Sequence, residues 1–179
     1  DHAIESFFLL VAPRLNLQPA MKALEWLVRR FQAHIHNAES FLLMALPYYS
    51  TPTFMRILDT IAKPLPPIFS FLNHSKTTVK NPSKNLIIRA LGGDYELHRL
   101  VASYIVKVIK GGFDYQLLLT FWSSMSIWVI LHLKEKNVAQ EDIVDRFLSD
   151  LSDVIRLKKR SEAQIAAYMI FSVIGSQFQ

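Results

Sequence analysis

The chain has 179 residues and no cysteine. This excludes a disulfide framework, a thiolate metal site and a cysteine nucleophile. Its five glycines include two pairs, Gly92-Gly93 and Gly111-Gly112. Neither pair has the lysine or third glycine that a phosphate loop or a dinucleotide fingerprint requires. A Gly-x-Ser-x-Gly elbow is also missing. Acid is absent from residues 60–93, where Lys63, Lys76, Lys80, Lys84 and Arg89 stand without Asp or Glu. The whole-chain surplus is +5, so the rest of the molecule is neutral. The basic balance is therefore local and does not imply a nucleic-acid surface spread over the protein. Half of the residues (51%) are hydrophobic and 20% are charged, which excludes a disordered tail.

The first residues, Asp1-His2-Ala3-Ile4-Glu5, lack the basic and apolar regions of a secretory signal and read as the start of a fragment. Tyr115 to Leu133 contains no Asp, Glu, Lys or Arg and approaches the length of a membrane span. Gln116, Thr120, Ser123, Ser124, Ser126 and His132 would each need a partner in lipid. The same pattern describes a central helix packed on several sides, which is the expectation adopted, with no membrane partner.

The dominant signal is helical periodicity, punctuated by turn residues, with no sustained period-two alternation. A first helix is expected over about Ala3–Val11, before Pro13 and Asn16. Pro19 then suits a first helical turn, and Ala20, Leu24, Leu27, Phe31 and Ile35 come after it on one buried face. Lys22, Glu25, Arg29, Gln32 and His36 form the opposite, solvated face, with Glu25 and Arg29 in the favourable order for an ion pair. Asn37 is placed to cap the next helix, which carries Phe41, Leu42 and Ala45 inward and stops at Pro47. Thr51-Pro52 opens another, with Phe54, Ile57, Leu58 and Ile61 as its stripe.

Pro64, Pro66, Pro67 and Pro82 exclude a regular helix through 64–83. There Ile68, Phe69, Phe71 and Leu72 predict a short packed turn, and Asn73 to Asn81 an exposed loop. Helices resume at Ser83. Gly92-Gly93-Asp94 and Gly111-Gly112-Phe113-Asp114 both read as helix stop and restart: the first glycine takes the left-handed turn and the aspartate caps the next helix. Leu97, Leu100, Val101, Tyr104 and Val108 face inward between them. Two more helices are expected, over about Ala139–Leu157 with Asp142 and Arg146 pairable, and from about Glu162 to Ser176 with Ser161 as cap.

These features predict an all-α protein of eight or nine helices. Successive short-looped helices with wide apolar stripes are antiparallel neighbours. Pairing them gives units of about 35–45 residues, the range of HEAT and armadillo repeats. The expectation is a single domain over 1–179, a HEAT/armadillo-like α-solenoid and a fragment of a longer array, with a proline- and lysine-rich loop at 64–83. A compact helical bundle is the alternative on pattern alone.

No catalytic or metal constellation emerges, and no cofactor is expected. His34 and His36 point about 200 degrees apart on a helix and suit its negative C-terminal end better than a shared metal. Asp142 and Asp145 read as a solvated face. Three surfaces remain. Lys76, Lys80 and Lys84 could touch RNA phosphates or simply line a solvated loop. Arg156, Lys158, Lys159 and Arg160 end a helix, where cations are stabilised in any case, and are a second RNA candidate. Trp26, Arg29, Arg30, Tyr48, Tyr49 and Arg56 cluster around one helical hairpin and are of the types enriched at interface hot spots. Core packing is the competing role for Trp26.

The stretch Lys22-Ala23-Leu24-Glu25-Trp26-Leu27-Val28-Arg29-Arg30-Phe31-Gln32-Ala33-His34-Ile35-His36-Asn37 resembles a family signature. Together with Tyr48-Tyr49-Ser50-Thr51-Pro52-Thr53-Phe54-Met55-Arg56-Ile57-Leu58 and the later Gln164-Ile165-Ala166-Ala167, it is similar to the N-terminal region of the U-three small nucleolar RNA-associated protein ten (Utp-ten) family. The similarity runs through nearly the whole chain and is weaker over the middle loop and 83–136. It implies a non-enzymatic HEAT-repeat scaffold of the small-subunit processome, in the nucleolus of the nucleus. It further implies membership of the UTP-A subcomplex, which engages the 5′ external transcribed spacer of pre-ribosomal RNA and supports 18S rRNA processing and rDNA transcription. The implied partners are other UTP-A subunits, here a helical C-terminal segment of a WD-repeat protein docking on the Trp26–Arg56 hairpin. Contact of this segment with the pre-rRNA 5′ external transcribed spacer and the U-three ribonucleoprotein would be indirect or weak.

Overall fold

The computed structural model describes residues 2–61, 64–113, 115–157 and 161–177. Helices account for its regular structure, and no strand occurs among the described residues. The all-α expectation holds, with shorter and more numerous elements than predicted. The chain divides into two compact units, Asp1–Leu86 and Ile87–Gln179.

The first unit holds α1 (His2–Val11), α2 (Gln18–Phe31), α3 (Ala33–His36), α4 (Ala38–Ala45), α5 (Pro52–Thr60) and α6 (Asn73–Thr78). Short 3-10 turns cover Ala12–Arg14, Leu46–Tyr48 and Pro67–Leu72. Helix α4 is central: it packs on α1 and α5, and Phe41, Leu42, Leu43, Met44 and Ala45 are all buried. Phe8 meets Phe41 edge-on at 5.4 Å, an arrangement favoured by the ring quadrupoles. Phe54 and Phe69 are likewise fully buried. Thr51 caps α5 as its sequence predicts, its hydroxyl oxygen accepting from the Phe54 amide.

Three expectations change in this unit. The single helix expected through His36 is interrupted at Gln32, whose φ of 51° is left-handed and whose amide bonds back to the Val28 carbonyl. The reversal turns Ala33 into the core and leaves Phe31 and Ile35 about half exposed, so the predicted stripe ends at Leu27. Asn37 does precede α4, but its side chain makes no capping bond and its buried Oδ1 has no partner among the described residues. Finally, the exposed loop expected over 73–81 contains α6. Thr77 and Thr78 hydroxyls bond back to the carbonyls of Asn73 and His74, and Val79, at φ 54°, terminates the helix. The 64–83 stretch is therefore largely ordered turn and helix, held by Lys76.

Helix α7 (Lys84–Gly93) begins where Ser83 was expected to start it, the Ser83 hydroxyl accepting from the Leu86 amide. The second unit then contains most of α7, α8 (Tyr95–Gly111), α9 (Gln116–Glu135), α10 (Gln140–Ile155) and α11 (Ser161–Gln177). Helix α9 corresponds to the charge-free run. It is long and apolar enough to cross a bilayer, yet it packs against α8, α10 and α11. Phe121, Trp122, Met125, Val129 and Ile130 are buried there. On α11, Ala163, Ala166, Ala167, Ile170 and Ile174 are buried. The small residues allow close approach to α9 and α10, as the sequence indicated. Ile165, Tyr168 and Met169 lie on the opposite, exposed face. Lys110 on α8 and Asp153 on α10 pair at 2.6 Å.

The glycine junctions are built differently from expectation. Gly112 takes the left-handed turn after α8, at φ 81°, rather than Gly111. Its Asp114 cap lies outside the described residues. At the other junction α7 runs helically through Gly93, and only the aspartate acts as predicted, Asp94 accepting from the Leu97 amide at 3.1 Å. Gly92 lies instead at a close approach: a Cβ there would stand 3.1 Å from the His132 ring, so the ring would have to shift to admit one. Its carbonyl accepts from Arg146, 2.9 Å away. Arg146 also lies over the Tyr95 ring at 5.2 Å, so it bridges to α7 rather than to Asp142.

A candidate interaction face on α2 and α5

The hairpin residues singled out by sequence separate into three environments. Tyr48 is interior, 2% exposed, and its hydroxyl donates to the Ala12 carbonyl at 2.7 Å. It anchors the end of α1 and cannot be an exposed anchor for a partner. Tyr48→Phe should cost about 1 kcal/mol, because the buried carbonyl loses its donor while the ring still fills its site. A shift in the chemical-denaturation midpoint would measure it. Tyr49, beside it, is half-buried.

Arg56, on α5, reaches across to α2 and donates to Glu25 at 3.1 Å. Glu25 therefore pairs across the two helices, not with Arg29 along its own. Both side chains are largely exposed, so the pair orients more than it stabilises. It spans one rim of a groove of about 310 Å³. Leu24, Val28, Phe41 and Ile57 supply its apolar lining, while Arg29 and Asp59 add charge at the edge.

Trp26 is 56% exposed and makes an edge-on contact with the half-exposed Phe31, centroids 5.3 Å apart. The core role weighed against an interface role is thus excluded for this indole. Lys22, Arg29 and Arg30, also exposed, lie four before, three after and four after it along α2. At those spacings helical side chains are neighbours. Sequence reading picked these residues but could not rank them, since amphipathic patterning does not reveal where a helix will be interrupted.

The basic candidates elsewhere scatter. Lys76 is not on an exposed loop but 8% exposed, donating to the Leu58 and Ile61 carbonyls. Lys80 is exposed and Lys84 half-buried. Arg156 is exposed at the end of α10, whereas Lys158, Lys159 and Arg160 lie outside the described residues. No group of three or more metal-binding side chains occurs among the described residues. His34 and His36 sit on α3, directly after the interruption.

Fold and surface together define an all-helical protein with a grooved, basic and aromatic face. No protein-family model matches the chain. Comparison with curated proteins finds it 42% identical, over 99% of its length, to the U3 small nucleolar RNA-associated protein 10 of Yarrowia lipolytica. It is 36% identical over 98% to the protein of that name in Lodderomyces elongisporus, and 32% identical over 99% to that of Aspergillus oryzae. The chain is a segment homologous to the U3 small nucleolar RNA-associated protein 10 family. It spans about a tenth of the length of these relatives, 10%, 9% and 10% respectively.

Proposed function

We propose that this chain is a non-catalytic scaffold segment acting in ribosome biogenesis, in the nucleolus, as part of a U3-associated assembly that processes pre-ribosomal RNA. Near-complete alignment with relatives named for association with U3 small nucleolar RNA carries this reading. In its finer form, the segment is one HEAT-like part of a longer helical array in the UTP-A subcomplex. It holds another subunit there and so supports 18S rRNA processing and rDNA transcription. The α2–α5 groove favours a protein partner: an apolar floor with charges of both signs on its rim suits an amphipathic helix laid lengthwise. A helical C-terminal segment of a WD-repeat subunit fits that description.

The test is a pulldown of the 179-residue chain against each UTP-A subunit, followed by titration of the one captured. Val28→Glu and Arg56→Glu, which place charge in the groove and reverse its rim, should each weaken binding about tenfold, equivalent to about 1.4 kcal/mol. Unchanged affinity in both would remove the groove as the docking site. Capture of no subunit would remove the scaffold reading.

The alternative of direct pre-rRNA binding through the 64–83 region is weakened by the interior position of Lys76. Of the three candidate lysines, Lys80 and Lys84 remain, with Arg156 in the other unit.

A further inference from the structure

Helix α2 has a second flank, turned away from the groove floor formed by Leu24 and Val28. On a helix of 3.6 residues per turn, Lys22, Trp26, Arg29 and Arg30 fall within an arc of about 100 degrees. All four are exposed, and Lys22, Arg29 and Arg30 have no ion-pair or hydrogen-bond partner among the described residues. The one acid close by in sequence, Glu25, is paired with Arg56. Placement of Arg29 and Arg30 in the last turn is accounted for by the helix dipole. That explanation covers neither Lys22, two turns earlier, nor an indole left more than half exposed.

We infer that this flank is a contact for single-stranded nucleic acid, with a base stacked on Trp26 and its neighbouring phosphates held by Lys22, Arg29 and Arg30. The surface matches the needs of such ligands: a planar aromatic open to solvent, ringed by cations at side-chain spacings of about 5–6 Å. An acidic protein helix fits less well. Helix recognition needs a row of apolar anchors in a groove, and that groove lies on the other side of α2. Beside Trp26, the half-exposed Phe31 braces the indole edge-on. The flank shares Arg29 with the groove edge, but Trp26 and Arg30, which the test alters, do not line the groove, so its failure is distinguishable from failure of the scaffold reading.

The experiment is fluorescence anisotropy of a labelled ten-nucleotide uridine RNA, and of its thymidine DNA counterpart, titrated with the 179-residue chain. Both should bind, because neither stacking nor phosphate contact reads the 2′-hydroxyl. Three phosphate contacts give a log–log salt slope of about −2 for a single strand. Trp26→Ala should weaken binding about tenfold, and Trp26→Phe should restore most of it. Arg30→Glu should weaken binding and make the salt slope shallower, while Lys80→Glu leaves both unchanged. Thermal melts should show all four variants folded, as each site is exposed. Equal binding by Trp26→Ala and the parent chain would overturn the inference, as would loss confined to Lys80→Glu. A glutamate-rich peptide bound at this flank in place of either oligonucleotide would also overturn it and assign the surface to a protein.

Discussion

Lys76→Met should destabilise the first unit by about 3 kcal/mol, the largest single effect expected from any charged residue in this protein. The buried Lys76 ammonium donates to the carbonyls of Leu58 and Ile61, with a longer bond to Asp59. These carbonyls belong to the last turn of α5 and the residue after it, where helical carbonyls have no amide partners of their own. The positive charge also meets the negative end of the helix dipole. Methionine matches the length of the stem but donates nothing. Two buried carbonyls then lose charge-assisted bonds worth about 1.5–3 kcal/mol each. The loss is partly offset, because a buried ammonium no longer has to be desolvated. Denaturant unfolding of Lys76→Met beside Lys80→Met makes the comparison, since the exposed Lys80 should change stability by no more than about 0.5 kcal/mol. Equal, small shifts in both would show that the ammonium contributes nothing to holding α6 against α5.

The second large effect is an acid-linked loss of stability governed by His98. This side chain is buried between helices of the second unit, edge-on to Phe147 at 4.7 Å. Burial first, and then the nearby positive charge of Arg146, push its pKa down from 6.5 to about 4. The imidazole is therefore neutral in the folded protein but protonates near pH 6.5 once unfolded. Between those two values the unfolded state binds more protons, so stability falls as pH drops through that window. A displacement of that size corresponds to about 3 kcal/mol, fully present above pH 6.5 and lost on reaching pH 4.

Asp150, which with His98 lines a small cavity in the second unit, acts in the opposite sense. Burial, and secondarily Asp153, raise its pKa, so its unfavourable contribution fades as the pH falls into the carboxylate range. His98→Leu should flatten the stability–pH profile between 6.5 and 4 relative to the parent chain. Denaturant unfolding across that range measures it, and a profile as steep as the parent's would show that His98 does not carry the proton linkage.

Much of the fold was legible because its signals are local. Thr51-Pro52, Ser83 and Asp94 each act at a helix start through a hydroxyl or carboxylate oxygen that accepts a nearby amide. That chemistry needs only three or four consecutive residues. The alanines of α11 and the apolar run of α9 likewise found the buried positions their patterns indicated. Where the reading failed, the cause was non-local. Nothing near Asn73–Thr78 favours a helix over a polar loop; the segment is ordered by a lysine that meets carbonyls fifteen or more residues earlier. Gly92 looked like a stop signal, whereas its smallness serves a contact with His132, forty residues on.

The candidate face shows the same division. Composition and spacing were enough to single out Trp26, Arg29, Arg30, Tyr48, Tyr49 and Arg56, because those side-chain types carry binding chemistry wherever they stand. Their roles were assigned only by packing: Tyr48 turned inward to Ala12, Arg56 crossed to Glu25, and Trp26 stayed outside. Local patterns in the chain were sufficient for an all-helical protein, the caps at Thr51, Ser83 and Asp94, most of its apolar stripes and its homology to one segment of a much longer family. Packing in three dimensions was needed to establish where α2 breaks, which lysine is interior and which aromatics face water. Caps and stripes depend on neighbours within one helical turn, while burial depends on surfaces brought together from distant parts of the chain.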